Sequence, residues 1–131
     1  MATKIAVVAP GGMGSALAER LKGEGADVLT SLVARSDASR RRAEASGMRD
    51  VGDAGLVEAE VILSVVPPDQ ALPLARRLSA ALSSAARKPV YVDCNATGPD
   101  LAAEVEAAVT AAGIDFVDGG IIGLPPKPGT P

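Results

Sequence analysis

The stretch IAVVAPGGMGSALAERL, residues 5–21, decides how this chain folds. A run rich in apolar and β-branched residues, Lys4–Ala9, leads into a glycine cluster, and the period of the apolar residues changes immediately afterwards. Met13, Leu17 and Leu21 then recur at every fourth position, which places them on one stripe of a helix. The stretch therefore predicts a buried strand, a tight glycine turn and an amphipathic helix.

Strand and helix signals alternate along the rest of the chain and are separated by short loops. Gly25, Gly47 and Gly113 stand where predicted helices end. Because right-handed helical crossovers join parallel strands, this alternation predicts an α/β fold with a Rossmann-type, doubly wound parallel sheet in a single domain. The further predicted strands are Ala26–Leu32, Val61–Val66, Pro89–Asp93 and Ile114–Asp118. Three further helices are predicted: Asp37–Ala45, a second that is capped by Asp69 and a third that is capped by Thr97. Gly52–Ala59 is predicted to be a connector.

The composition of the 131-residue chain excludes several classes of function. It contains no histidine and one cysteine, Cys94, which removes Ser-His-Asp triads, Cys-His dyads, disulfides and metal sites built from those residues. Cys94 is therefore interpreted as a small buried side chain. The net charge is −3 and aromatic residues make up 2%, so neither a basic field nor a stacking platform for nucleic acid is expected. No stretch resembles a transmembrane helix or a signal peptide, which predicts a cytoplasmic protein without membrane contact.

A glycine turn between a strand and a helix is the arrangement that a dinucleotide pyrophosphate requires. The helix N-terminus offers unpaired N–H groups, and glycine lets phosphate oxygens approach them without an intervening Cβ atom. Gly11 and Gly14 occupy the second and third glycine positions of the G-x-G-x-x-G fingerprint, whereas Ala9 stands at the first. A turn that binds no ligand is the alternative interpretation. A P-loop is excluded because no Lys-Ser or Lys-Thr pair follows the glycines.

The residues after the second predicted strand favour NADP over NAD. An NAD site usually carries an acidic residue there to hold the ribose 2′-OH, but this strand ends in Leu29-Thr30-Ser31-Leu32. Arg35 and Ser36 follow, and a guanidinium group with a hydroxyl is suited to a 2′-phosphate. The arginines at 40–42 are equally well explained as a solvent-exposed helix face.

Four segments, GGMGSALAERL, VILSVVPP, VDCNATGP and VDGGIIGLPP, occur in this order and carry a resemblance over nearly the whole chain. They resemble the N-terminal domain of the 6-phosphogluconate dehydrogenase and β-hydroxyacid dehydrogenase superfamily, whose domain plan imine reductases share. The resemblance implies an NAD(P)-dependent oxidoreductase that transfers a hydride to or from a small hydroxyacid, keto or imine substrate. Residues 1–124 would form its NAD(P)-binding domain, and the proline-rich 125–131 a linker or the truncated start of the next segment.

The resemblance also implies cofactor-binding roles in four places. The glycine turn corresponds to the family's pyrophosphate loop, and the Arg-Ser pair after the second strand to the adenosine end. The Val-Pro pair after the VILS strand matches residues beside the nicotinamide, and the asparagine after the VYVD strand lies near the nicotinamide ribose. In this sequence these positions are Pro10, Gly11, Gly12, Met13, Gly14, Arg35, Ser36, Val66, Pro67 and Asn95.

The family's substrate segment, D-x-P-V-S-G-G, falls on residues 118–124 of this chain. The resemblance therefore implies substrate contacts at Asp118, Ile122 and Gly123. Ile122 replaces the family's substrate-binding serine and cannot hydrogen-bond a carboxylate, so an imine or another less polar substrate is favoured. The family's catalytic lysine motif, G-x-x-x-K-x-x-x-N, has no counterpart before Pro131, and no catalytic residue or metal ligand is assigned.

The isolated chain is expected to bind the dinucleotide with negligible turnover, because the lysine and the family's helical C-terminal domain lie outside it. An apolar face normally covered by that domain would favour a homo-oligomer. Two other functions stay open from the residues alone. One is a stand-alone dinucleotide-sensing or interaction module without catalysis, and the other is a Rossmann domain for a different adenosine ligand such as S-adenosylmethionine.

Overall fold

The structure, a computed structural model, describes residues 3–8, 12–33, 36–95 and 98–119. Strands and helices alternate throughout these ranges. The strands are β1 (Lys4–Val8), β2 (Asp27–Thr30), β3 (Arg49–Asp50), β4 (Val61–Ser64), β5 (Val90–Asp93) and β6 (Phe116–Asp118). The helices are α1 (Gly12–Gly23), α2 (Asp37–Ala45), α3 (Gly52–Gly55), α4 (Pro68–Leu82) and α5 (Pro99–Ala111), with a 3-10 turn at Leu56–Glu58.

The six strands form one sheet in the order β3-β2-β1-β4-β5-β6, and every neighbouring pair runs parallel. The direction of winding reverses at β1, which pairs with β2 on one side and with β4 on the other. This is the strand order of the doubly wound dinucleotide-binding fold, so the predicted α/β Rossmann-type class is confirmed. In such sheets, ligands bind beyond the carboxyl ends of the strands at the reversal, here β1 and β4.

The core lies on both faces of the sheet. Ala6 and Val8 of β1 belong to one cluster of buried apolar residues, and Val7 between them belongs to the other. The larger cluster packs under α4 and α5, and the smaller one packs under α1 and α2. The predicted stripes of α4 and α5 are part of the larger cluster, since Leu74, Leu78, Leu82, Val105 and Val109 are buried and Leu101 packs against them. Of the predicted stripe of α1, Leu21 packs against the smaller cluster and Leu17 is partly exposed.

Several element boundaries differ from the prediction. β2 ends at Thr30 rather than Leu32, because the N–H of Leu32 donates to the Asp50 carboxylate at 3.2 Å instead of to a neighbouring strand. The predicted connector after the second helix contains α3 and a 3-10 turn, and the short strand β3 precedes it. A strand of two residues is too short to show a period of two, which is why the sequence pattern did not reveal it.

α2 is capped by Ser36, the residue just before its first helical residue, Asp37. The Oγ of Ser36 accepts a hydrogen bond from the backbone N–H of Ser39 at 3.2 Å, which satisfies one of the unpaired donors of the first turn. Asp37 lies inside that turn, where its charge complements the helix dipole. The predicted end is confirmed, since Gly47 follows the helix with a φ of 77°.

The starts of the two long helices on the other face also differ from the prediction. α4 begins at Pro68, so Asp69 lies in its first turn and does not cap it. Pro73 lies inside α4, where it removes one backbone hydrogen bond on an exposed side of the helix. α5 has Gly98 as its N-cap, without a side-chain hydrogen bond. The predicted cap Thr97 lies outside the described residues.

Candidate functional site

The glycine turn joins the carboxyl end of β1 to the start of α1, at the reversal point of the sheet. α1 begins at Gly12, and Met13 and Gly14 follow in its first turn. The burial of Gly14 fits the third glycine of the fingerprint, whose missing side chain allows helix and strand to pack closely. Pro10 and Gly11 lie outside the described residues. The turn therefore brings a helix N-terminus to the edge where dinucleotides bind in this fold.

The segment after β4 lies next to the carboxyl end of β1, on the other side of the reversal. The N–H of Val65 donates to the carbonyl of Val8 at 3.0 Å, so β4 stays tied to β1 beyond its last residue. Val66 is buried in the larger core cluster, and Pro67 is exposed. The two residues predicted to lie beside the nicotinamide thus stand at the carboxyl edge of the sheet.

Asn95 follows β5 and ties it to the segment after β4. Its Oδ1 accepts a hydrogen bond from the N–H of Val66 at 2.7 Å, and its Nδ2 donates to the Oγ of Ser64 at 3.2 Å. Its own N–H donates to the Asp93 carboxylate at 2.9 Å. Asn95 is buried, so these bonds are shielded from water. Sequence reasoning placed Asn95 near the nicotinamide ribose but missed this function in fixing Val66.

Two carboxylates meet at the ends of β5 and β6. Asp93 and Asp118 are register partners in this parallel pair. Burial raises the pKa of Asp93 above its ordinary value, hydrogen bonds from Asn95 oppose that rise, and the negative charge of Asp118 adds to it. The sequence offered no sign of this pairing, because it depends on the register between two strands.

Cys94 follows Asp93 and is buried. Burial raises the pKa of its thiol to about 11, and the charge of Asp93 adds to the rise. A neutral thiol is a weak nucleophile. The structure thus agrees with the interpretation of Cys94 as a small buried side chain.

Gly119 follows β6 and lies against β5. A Cβ atom at this position would come within 2.8 Å of Cγ1 of Val92, and the N–H of Gly119 donates to the carbonyl of Asp93 at 2.8 Å. The first residues of the predicted substrate segment are therefore held at the carboxyl edge of the sheet. Ile122 and Gly123 lie outside the described residues.

The carboxyl end of β2 is bounded by two acidic residues from later in the chain. The N–H of Leu32 donates to Oδ1 of Asp50, and the hydroxyl of Ser31 donates to the carboxylate of Asp53. Asp53 also accepts from Arg77 of α4, at 2.8 Å from Nε and 3.3 Å from Nη2. Sequence reasoning missed these residues, because no motif or spacing connects them to β2.

Ser36 lies at the N-terminus of the nine-residue helix α2. It is exposed, and its hydroxyl donates to Oγ of Ser39 at 3.3 Å. A helix N-terminus with an exposed hydroxyl favours an anion such as a phosphate. Arg40 and Arg41 are exposed on α2, in agreement with the interpretation as a solvated face, and Arg35 lies outside the described residues.

Two kinds of feature are absent from the described part of the chain. Its acidic residues and its cysteine form no group that could hold a metal ion. None of its helices combines the length and apolarity needed to cross a membrane.

Comparison with known proteins shows what this arrangement is similar to. A family model described as the NAD binding domain of 6-phosphogluconate dehydrogenase matches residues 4–126. No curated protein sequence matches the chain.

Solved structures with the same fold include dehydrogenases and reductases. A conserved protein of unknown function, described as structurally similar to 3-hydroxyacid dehydrogenases, has a TM-score of 0.76 at 28% identity, over 88% of this chain and 42% of that one. The 3-hydroxyisobutyrate dehydrogenase of Mycobacterium tuberculosis, with L-serine, has a TM-score of 0.67 at 22% identity, over 88% and 39%. An imine reductase variant from Myxococcus stipitatus, in complex with NAD+, has a TM-score of 0.70 at 21% identity, over 88% and 40%. The chain thus spans about two fifths of the length of these proteins.

Proposed function

Because this chain belongs to the family of NAD-binding domains of 6-phosphogluconate dehydrogenase, we propose that it is the cofactor-binding part of an oxidoreductase that prefers NADP. The observation that carries the proposal is the glycine turn between β1 and α1 at the reversal point of the sheet. When bound, a nicotinamide cofactor would supply a hydride donor or acceptor. The residues of this chain would bind and orient it.

The glycine turn fits a pyrophosphate for two reasons. The burial of Gly14 is consistent with close packing of α1 on the sheet, and the first N–H groups of α1 have no partner within the helix. Those N–H groups and the positive end of the helix dipole would bind the phosphate oxygens. The residues proposed to form the turn are Pro10, Gly11, Gly12 and Met13.

NADP is proposed over NAD because of the side chains that lie in or follow the carboxyl end of β2. Arg35 and Ser36 would bind the 2′-phosphate. The two acidic residues bonded to this strand end already serve the fold: Oδ1 of Asp50 accepts from two backbone N–H groups, and Asp53 is paired with an arginine of α4. Their hydrogen bonds within the protein make them poor ligands for a ribose 2′-OH.

The nicotinamide end would lie at the carboxyl ends of β4 and β5. Val66 and Pro67 would form one wall, and Asn95 would hold that wall in position through its hydrogen bond to Val66. A buried asparagine that bonds two neighbouring segments keeps such a wall rigid.

The substrate is proposed to bind beside this wall, on the segment that begins at Asp118 and includes Ile122 and Gly123. An isoleucine in that segment favours an imine or another weakly polar substrate. We propose that 1–124 form the binding domain and 125–131 a linker or the start of the next segment, with the acid-base lysine supplied from outside these residues. Bound dinucleotide without turnover is therefore the expected behaviour of this chain alone.

Separate titrations of the chain with NADPH and with NADH, each monitored by isothermal titration calorimetry, test the proposal. We expect saturable binding of one dinucleotide per chain, with a lower Kd for NADPH than for NADH. S-adenosylmethionine, which shares the adenosine group, is the control ligand and should not displace NADPH. Absence of saturable binding by either dinucleotide would refute the proposed function.

A further inference from the structure

Three side chains from separate parts of the fold are linked by hydrogen bonds at the carboxyl end of β2. Ser31 follows β2 and is buried, and its hydroxyl donates to the carboxylate of Asp53 on α3. Arg77 of α4 donates to both oxygens of the same carboxylate. The Asp53 side chain is 15% exposed and that of Arg77 is 33% exposed, so solvent screens this ion pair less than a surface pair.

The carboxylate of Asp53 lies at the carboxyl end of β2, the strand that leads to Arg35 and Ser36, the residues proposed to bind the adenosine end of the dinucleotide. Ser31 is bonded to Asp53 and is five positions before Ser36, which begins α2. A carboxylate here would repel an anion bound at the start of α2, unless a cation compensates its charge. Arg77 provides that compensation through two hydrogen bonds to the carboxylate.

We propose that Arg77 is a specificity-determining residue, which sets the preference for NADPH over NADH by neutralising Asp53. The inference rests on the proposed function. The two dinucleotides differ in the 2′-phosphate, which carries roughly two negative charges near neutral pH. An uncompensated carboxylate near the adenosine end therefore weakens binding of NADPH much more than binding of NADH.

The test compares the ratio of the Kd values of the two dinucleotides among charge variants. Arg77→Met removes the compensating charge and should raise the Kd for NADPH on the order of fivefold, with little change for NADH. Arg77→Lys keeps the charge and should keep the ratio. Arg76→Met removes an exposed arginine from the adjacent position of the same helix and is the matched control.

A double variant separates this electrostatic effect from a merely structural one. Asp53→Asn combined with Arg77→Met removes both charges, and we expect the ratio to return towards that of the unchanged protein. Damage to the fold would instead persist or worsen in the double variant, and it would weaken the binding of both dinucleotides equally. If Arg77→Met does not fold, the nearly isosteric Asp53→Asn gives the answer alone, because removing the carboxylate should increase the preference for NADPH.

The outcomes distinguish failure of this inference from failure of the proposed function. An unchanged ratio in Arg77→Met or in Asp53→Asn, in a protein that binds both dinucleotides, would overturn the role of Arg77 alone. An unchanged protein that binds neither dinucleotide would overturn the proposed function and this inference with it.

Discussion

The side-chain oxygen of Asn95 accepts a hydrogen bond from the backbone N–H of Val66 at 2.7 Å, across 29 positions of the sequence. The bond joins the end of β5 to the segment after β4, which is the proposed wall beside the nicotinamide. The amide nitrogen of Asn95 is bonded to Ser64 as well, so one buried side chain links two neighbouring strand ends.

Replacing Asn95 by alanine should destabilise the protein and weaken dinucleotide binding. The variant leaves the N–H of Val66 without its partner in a buried environment, which costs about 1–3 kcal/mol. Urea unfolding measures that loss, and NADPH titration measures the effect on the wall. Ser64→Ala is the matched control: it removes the longer of the two bonds but leaves the bond to Val66, so it should have the smaller effect on NADPH binding. An Asn95→Ala variant as stable as the original protein would show that this bond is not needed.

An aspartate in place of Gly12 should weaken NADPH binding without destabilising the fold. Gly12 is the first residue of α1, where a negative charge interacts favourably with the helix dipole but repels a bound pyrophosphate. We expect the Kd for NADPH to rise by at least about tenfold, while the melting temperature stays constant or rises.

The matched control for Gly12→Asp is Gly23→Asp, at the other end of the same helix. Gly23 is exposed, and a Cβ atom there meets nothing within 4 Å. The added charge at the helix C-terminus should lower stability slightly and leave the Kd unchanged. Equal effects of the two variants on binding would contradict a pyrophosphate site at the start of α1.

Substituting Gly119 by alanine should destabilise the end of β6. The new Cβ atom would come within 2.8 Å of Cγ1 of Val92. Such overpacking typically destabilises the folded state by about 1–3 kcal/mol. The double variant Gly119→Ala with Val92→Ala should recover part of the loss in urea unfolding, because the colliding methyl group is gone. Gly23→Ala, at an exposed position where a Cβ atom has open space, is the control. Equal stability of Gly119→Ala and Gly23→Ala would rule out the close contact.

The raised pKa of Asp93 should make the stability of the protein depend on pH. Burial raises the pKa of this carboxyl in the folded state above its unfolded value, so the folded protein binds more protons between the two values. Stability from this group is therefore fully present below the ordinary carboxyl pKa, near pH 4, and is lost as the pH rises through the folded value.

Asp93→Asn tests this dependence and keeps an oxygen that can accept the N–H of Asn95. We expect the variant to unfold at higher urea concentration than the original protein near pH 7, with the advantage disappearing near pH 4. Asp115→Asn removes an exposed carboxylate just before β6 and controls for the change in net charge. A constant difference in stability between Asp93→Asn and the original protein across this range would contradict the raised pKa.

The sequence alone was sufficient to predict the helices and strands that form the candidate site. The glycine turn, the leucine stripe of α4 and the glycine that ends α2 were recognisable because each depends on residues within a few positions of one another. Helical and strand periods arise from that same short range. The prediction failed where the signal was too short, as at β3, or where the predicted cap lies inside the helix, as at Asp69.

Only the tertiary structure decided which distant side chains meet at the carboxyl edge of the sheet. Asp53 lies 22 positions after Ser31 and 24 before Arg77. These residues come into contact because of the order of the strands in the sheet, not because of any repeat in the sequence. The bond between Asn95 and Val66 and the register of Asp93 with Asp118 have the same origin. Periodicity reports which face of an element is buried, whereas contacts between elements depend on how the whole sheet assembles. The sequence therefore determined the fold and its glycine turn, and the packing of the sheet determined which groups surround the proposed dinucleotide.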